Sequence, residues 1–182
     1  MWLLPVALLF CLPQAFADEA KLVGLPAPAW LIAKPDWQNS PPLSVARLRG
    51  KVVLIRWWTA PTCPFCKASA PALNAFHKKY AGRGLQVVGF YHHKADTRLE
   101  PAQVKEWAAD FGFKFPVAID RDWRTLRRWW LDHDDKAWTS VSFLLDRKGV
   151  IRHIHPGGQY VEGDPAHASL QRAIETLLAE KD

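Results

Sequence analysis

The chain has 182 residues, of which 49% are hydrophobic and 23% charged, a balance that suits one soluble globular domain and excludes a disordered or fibrous protein. Its formal net charge is +6, but it has no arginine-rich arm, so we expect modest affinity for acidic surfaces and no nucleic-acid binding.

The first 17 residues predict a signal peptide. No side chain from Met1 to Ala17 is charged, and Ala15-Phe16-Ala17 has the small-x-small form of a signal-peptidase site. We therefore expect residues 1–17 to be removed, leaving a single domain over residues 18–182 that is exported to the periplasm. An uncleaved leader that anchors the protein to the membrane is the alternative. Cleavage would also remove Cys11 and leave only Cys63 and Cys66 in the mature chain.

An apolar run from Val52 to Trp58 predicts a buried strand, and Cys63-Pro64-Phe65-Cys66 follows it closely. The helical spacing of apolar residues behind this motif predicts a helix from Cys66 to Tyr80. The motif therefore lies where a strand passes into a helix.

The other predicted elements alternate in type along the chain. The strands are Leu85–Tyr91, Phe115–Ile119, Val141–Asp146 and Val150–His155; the helices are Pro101–Phe111, Asp122–Leu131 and Pro165–Glu180. This order predicts an α/β fold whose central mixed β-sheet has a parallel first half and helices on both faces. Because sites in such sheets gather beyond the carboxyl ends of the strands, we expect the turn after Trp58, the His92-His93 pair and Asp120 to lie on one side.

The position of the dithiol favours redox chemistry. The N-terminus of a helix stabilises negative charge, so a thiolate at Cys63 is favoured there, and the thiolate is the nucleophile in disulfide exchange. A structural zinc site is the alternative, but it would need a second Cys or His pair at similar spacing, which the sequence lacks. The pattern thus predicts a redox-active disulfide that exchanges with other thiols.

The residues around the two thiols have weaker predictions. Pro64 and Phe65 are expected to tune the redox potential, and Phe65 either contacts a protein substrate or simply packs. Because side chains alternate along a strand, Trp57 and Trp58 should face opposite sides of the sheet. At least one of them should lie in the core, and we expect the other, which we take to be Trp58, to shield the thiols.

The histidines leave two interpretations open. His92 and His93 are either an acid or base near the thiols or, as we favour, part of a polar loop. His153 and His155 share one face of a strand and are interpreted as surface residues.

Three other functions are possible for the dithiol. A thiol peroxidase would need Thr three residues before its reactive cysteine, where this chain has Ala60. A Cu(I) carrier or metallochaperone would use the two thiolates with a nearby His, since soft thiolates suit Cu(I). A redox-inert adaptor, with the pair permanently oxidised, is a third possibility.

The stretch Gly50–Ile55, the CPFC motif and Pro71 resemble the thioredoxin superfamily, within it the exported TlpA/ResA-like thiol–disulfide oxidoreductases, which overlap with peroxiredoxin-type redoxin domains. Gly24–Pro28 and Phe143–Ile151 extend the likeness. The resemblance implies a thioredoxin-like fold with a helix-bearing insertion around Glu100 to Gly112.

For the site, the resemblance implies that Cys63 attacks and Cys66 resolves, with protein thiols or disulfides as substrates and no metal or cofactor. It slightly favours a reductase, which would need a membrane electron donor or acceptor as redox partner.

The chain departs from the family at three positions. Ser140 stands where relatives have a cis-proline, and because a non-proline cis peptide costs about 2.5–4 kcal/mol, we expect a trans peptide and a differently shaped substrate groove. Ser69 stands where many relatives have Glu. One extra residue between Lys51 and Cys63 leaves the family's buried acidic or amide position without a match.

Overall fold

The computed structural model describes residues 21–133 and 138–181, so the predicted signal peptide and its cleavage site lie outside the described residues. Within that part of the chain, no helix is both long and apolar enough to cross a membrane.

The elements follow the predicted alternation. The strands are β1 (Trp37–Gln38), β2 (Val52–Trp58), β3 (Leu85–Tyr91), β4 (Val117–Ile119), β5 (Ser142–Leu145) and β6 (Ile151–His155). The helices are α1 (Pro64–Tyr80), α2 (Pro101–Asp110), α3 (Arg124–Leu126, continued by a π-helical turn, Arg127–Leu131) and α4 (Pro165–Ala179). Short 3₁₀ turns cover Lys34–Asp36, Ala46–Leu48 and Ala81–Arg83.

One mixed sheet joins the six strands in the order β1-β4-β3-β2-β5-β6. Strands β2, β3 and β4 pair in parallel, whereas β1, β5 and β6 join antiparallel. The predicted α/β fold with a mixed sheet and a parallel first half is confirmed.

Two predicted boundaries are wrong for local reasons. Strand β4 begins at Val117 and not at Phe115, because Pro116 has no N–H to give to the ladder. Helix α3 begins at Arg124 and not at Asp122, because Trp123 takes a left-handed conformation with φ of 59°. Trp123 is therefore the N-cap residue and lies just before the first helical residue.

The sheet has two apolar faces, which we name by their side chains. The site face carries Leu54 and Trp58 of β2 and is covered by α1, α2 and α4. The aromatic face carries Trp57, Phe90 and Phe143 and is covered by the π-helical turn and by the segment that precedes β2. Helices on both faces are thus confirmed, with the three longer ones on the site face.

The carboxyl ends of the parallel strands meet as predicted. The backbone N–H of His92 donates to the carbonyl of Trp58 at 3.0 Å, and the N–H of Asp120 donates to the carbonyl of Tyr91 at 2.8 Å. The CPFC motif begins at this same edge, five residues after β2 ends.

Candidate active site

Cys63 is the N-cap of α1, and Cys66 lies in the first turn of that helix. The backbone N–H of Cys66 donates to the Cys63 sulfur at 3.3 Å, so one of the free donors of the helix end points at this atom. The two cysteines are disulfide-bonded, with Cα atoms 5.3 Å apart. Cys63 is partly exposed while Cys66 is 3% exposed, which leaves Cys63 as the sulfur that a partner can reach.

A pocket of about 420 Å³ opens beside Cys63. It is lined by Thr59, Ala60, Thr62, Cys63, Tyr91, His93, Lys94, Ala95 and Trp107. Burial raises the pKa of Tyr91 to about 12, and burial also lowers the pKa of Lys94. The pocket therefore combines a neutral phenol and an ammonium group beside the accessible sulfur.

His93 lies in the loop that follows β3 and also lines this pocket. Its Nε2 lies 2.8 Å from the carbonyl of Thr97, which can only accept, so Nε2 carries the proton. Nδ1 then accepts from the Tyr91 hydroxyl at 2.8 Å. The favoured loop position is confirmed for His93, and a proton-handling role near Cys63 stays a prediction for it.

His92 has a different environment, because it is fully buried on the aromatic face, where its ring lies edge-on to Trp123 at 5.0 Å. Neither ring nitrogen has a hydrogen-bond partner within the described residues. Burial lowers its pKa to about 3, with help from the charges of Lys94 and Arg56. His92 therefore begins the loop after β3, as favoured, but it is a buried neutral residue and not a solvated one.

Trp57 and Trp58 lie on opposite faces, as alternation predicts, but both are buried, at 0% and 1% exposure. Trp58 packs against Tyr91 and shares the core cluster of Cys66. Gly89 on β3 makes room for it, since a Cβ there would lie 3.0 Å from the Trp58 indole nitrogen. Trp58 therefore lies in the core, in the same cluster as Cys66, and its shielding of the thiols, redox tuning and substrate contact stay predictions.

Pro64 and Phe65 lie at the exposed end of the motif. Pro64 is exposed at the first position of α1, where a missing N–H costs nothing. Phe65 is partly buried and meets the ring of Trp138 edge-on, with centroids 5.3 Å apart. Trp138 is 50% exposed, so the two rings form an apolar surface next to the disulfide. Tuning and substrate contact by Pro64 and Phe65 stay predictions.

Ser140 is 5% exposed, and its hydroxyl accepts from the N–H of Gly158 at 3.1 Å. The described residues contain no cis peptide bond, as expected for a serine here. Ser69, also buried, accepts from the N–H of Tyr160 at 3.2 Å. Both serines therefore fix the segment from Gly158 to Tyr160 against the site; the contribution of Ser140 to a substrate groove stays a prediction.

One residue near this segment differs from its sequence interpretation. His155 is partly buried and packs edge-on to Tyr160 at 5.1 Å, and burial lowers its pKa to about 4, so it is not a simple surface residue. Asp120 is buried and accepts from the N–H groups of Thr125 and Leu126, which makes it a cap for α3. No group of three or more His, Cys, Asp and Glu able to hold a metal comes together within residues 21–133 and 138–181.

Arg56 is the buried residue that the sequence analysis missed. It is 1% exposed, and its guanidinium donates to the carbonyl of Gly158 at 2.6 Å. The available signal was a single charged residue inside the apolar strand VVLIRWW. Pattern reasoning treated that strand as uniformly apolar.

Comparisons with known proteins agree with this geometry. The AhpC/TSA family matches residues 23–154. Protein DipZ of Mycobacterium tuberculosis is 33% identical over 131 residues, 70% of this chain but only 17% of DipZ, so the chain spans less than a fifth of that relative. Thiol-disulfide oxidoreductase YkuV of Bacillus subtilis is 25% identical over 152 residues, 84% of this chain and 94% of YkuV.

A solved thioredoxin-like protein in its oxidised form superposes with a TM-score of 0.67 and 26% identity, over 86% of this chain and 97% of that one. The thioredoxin-like fold that the resemblance implied is confirmed.

Proposed function

The chain belongs to the AhpC/TSA family, and on that basis we propose that it is a thiol–disulfide oxidoreductase that exchanges the Cys63–Cys66 disulfide with the thiols and disulfides of other proteins. One observation carries the proposal: an accessible sulfur caps a helix, and a buried sulfur bonded to it lies one turn inside. The similarity to YkuV over most of both chains supports the same activity.

The difference in exposure between the two sulfurs supports a separate role for each. In the reductive direction the Cys63 thiolate attacks a substrate disulfide, a mixed disulfide forms, and one substrate thiolate leaves. Cys66 then attacks the Cys63 sulfur, which restores the internal disulfide and releases the second substrate thiolate. The reverse sequence oxidises a substrate dithiol. The exposed ring of Trp138 and the partly buried ring of Phe65 offer the surface on which a protein substrate lies.

The compartment and the redox partner are part of the proposal. The signal-like residues 1–17 support export to the periplasm, with residues 18–182 as the mature single domain. There, removal of Cys11 leaves no third thiol to scramble the pair. After each reaction with a substrate, the Cys63–Cys66 pair must return to its starting redox state. The proposal therefore includes a membrane protein that donates electrons to the pair or accepts them from it.

A trapping experiment tests the proposed function. In the Cys66→Ser variant the mixed disulfide on Cys63 cannot be resolved, so we expect adducts with native partners on non-reducing gels that disappear with reductant. The matched control, Cys63→Ser, removes the accessible sulfur and should form few adducts. An equal adduct pattern in both variants, or none in either, would contradict the proposal.

The alternative functions have their own readouts in the same preparation. A Cu(I) carrier would bind one copper per chain through both thiolates and would turn over no disulfide substrate. A peroxidase would consume peroxide at a rate that depends on Cys63. Reversible exchange with glutathione, without either activity, supports the oxidoreductase.

A further inference from the structure

Arg56 is a charged side chain buried inside the core. Its two terminal nitrogens donate to the Gly158 carbonyl at 2.6 Å and, weakly, to the Ser142 hydroxyl at 3.4 Å. Its Nε is buried without a partner in the described residues. The guanidinium lies over the ring of Tyr160, 5.0 Å from the ring centre. A guanidinium has five N–H donors and stays protonated in proteins, so these contacts leave it incompletely solvated.

No anion balances this charge within the described part of the chain. The titratable groups that interact with Arg56 electrostatically are Tyr160, His155 and His92. Burial raises the pKa of Tyr160, while the pKa values of His155 and His92 fall to about 4 and about 3. All three are therefore neutral near pH 7, and no carboxylate pairs with Arg56. A buried charge without a partner is costly, so a partner that appears during the reaction would be stabilised.

Arg56 lies on the same side of the sheet as the buried sulfur. It sits between Leu54 and Trp58 in β2, and alternation puts all three on the site face. Trp58, Tyr160 and Cys66 belong to one continuous apolar cluster.

The contacts of Tyr160 connect Arg56 with the start of α1. Tyr160 lies under the Arg56 guanidinium, and its backbone N–H donates to Ser69 at 3.2 Å. Ser69 follows Cys66 by three residues and is buried on the same side of α1. Reduction of the disulfide would thus create a thiolate at Cys66 on the face of the sheet that already contains the unpaired guanidinium of Arg56.

We propose that Arg56 is a positioning residue of the redox pair, which stabilises its reduced state and makes the pair an acceptor of electrons from protein dithiols. This inference rests on the proposed function and deepens it by assigning a direction. It opposes the reductive direction that the sequence resemblance slightly favours.

A substrate thiolate attacks Cys63, the Cys63–Cys66 bond breaks, and Cys66 leaves as a thiolate on the same face of the sheet as Arg56. The second substrate thiolate attacks the substrate sulfur of the mixed disulfide, and Cys63 leaves as a thiolate. The substrate gains a disulfide and loses two electrons, the pair gains those electrons, and the two substrate thiol protons go to solvent or to the pair. Because electrostatic attraction is strong in a dry interior, the cation favours this product state.

A purely structural role is the competing explanation, because Arg56 also holds the Gly158 carbonyl. Three variants separate the two roles. Arg56→Met removes the charge and keeps the length, Arg56→Lys keeps a charge, and Ser142→Asp adds a carboxylate beside an intact guanidinium. For each variant, tryptophan fluorescence monitors the redox equilibrium of the Cys63–Cys66 pair with glutathione and gives its equilibrium constant. The midpoint of urea unfolding is measured as well, as a test of stability.

We expect Arg56→Met and Ser142→Asp to shift the equilibrium at least tenfold toward the disulfide, equal to about 30 mV for a two-electron couple. Arg56→Lys should lie closer to the wild type than Arg56→Met does. If Arg56→Met and Ser142→Asp fold but stay within threefold of the wild type, the inference is overturned. Lower urea midpoints with an unchanged equilibrium would assign Arg56 a structural role alone.

A measurement without any change at Arg56 covers the case in which those variants do not fold. In Cys63→Ser only the buried thiol of Cys66 remains in the motif, and its thiolate absorbs near 240 nm. We expect half-conversion below about pH 8.5, the ordinary midpoint of a thiol, although burial alone would raise it. A midpoint above that value overturns the inference. The absence of any reversible disulfide transition in the wild type would instead contradict the proposed function itself.

Discussion

The two faces of the sheet hold their buried polar groups differently. On the aromatic face the carboxylate of Asp120 accepts from two backbone N–H groups and from the Trp57 indole at 3.4 Å. On the site face the guanidinium of Arg56 has one good acceptor, one weak acceptor and an unpaired Nε. The acid is satisfied by the fold, whereas the cation is not.

The neighbouring residues His92 and His93 repeat this contrast. His92 is a neutral core residue on the aromatic face, while His93 lines the pocket of Cys63 and bonds to Tyr91. One step along the chain changes the face and the chemical environment. The difference teaches that the aromatic face serves stability, while the groups available for chemistry collect on the site face. Three substitutions test that division.

The largest effect on stability is expected from Trp129→Ala. Trp129 is 1% exposed on the aromatic face and packs against Trp57 and Phe143, with ring centres 5.7 and 5.3 Å away. Loss of a buried aromatic ring should lower the free energy of unfolding by about 3–5 kcal/mol, measured by urea denaturation. The glutathione equilibrium of the folded variant should stay unchanged. A shift of that equilibrium would break the division between the faces.

A smaller effect, which depends on pH, is expected from His92→Leu. With a folded pKa of about 3 and an ordinary value of 6.5, His92 takes up a proton in the unfolded chain before it does so in the folded one. The stabilisation is therefore complete above pH 6.5 and is lost as the pH falls toward 3. Between pH 7.5 and 5 the wild type should lose about 2 kcal/mol through this residue. His92→Leu should lose correspondingly less, measured by urea midpoints at both pH values; an equal loss would mean that His92 is not buried neutral.

The smallest effect on stability is expected from Trp138→Ala, which should instead change substrate turnover. Its ring is 50% exposed beside Phe65, so removal should change the free energy of unfolding by less than about 0.5 kcal/mol. Loss of an aromatic contact should lower kcat/KM for a protein disulfide about fivefold or more, while the rate with a small disulfide reagent stays the same. Leu25→Ala, which alters another side chain that is 50% exposed, is the matched control. Equal losses in both variants would remove the Phe65–Trp138 surface from substrate binding.

Patterns among residues close together in the sequence were sufficient to predict much of the fold. The strands β2 and β3 have the predicted bounds, because short, mainly apolar runs rich in Val and aromatic residues and flanked by Gly are typical of a buried strand. The dithiol at the strand–helix junction was also visible, since its chemistry depends on spacing and on the helix that follows. Boundaries failed where a single backbone angle decided them, as at Trp123.

The amino-acid sequence by itself determined the redox pair, the alternation of strands and helices, and the placement of Trp57 and Trp58 on opposite faces, because each depends on residues close together in the chain. Only the tertiary structure decided which histidine lines the pocket beside Cys63, that Trp58 is buried, and that the buried Arg56 lies over Tyr160 without a carboxylate partner. These outcomes depend on contacts between residues far apart in the chain, such as Arg56 with Gly158, and burial sets the electrostatic energy of a group.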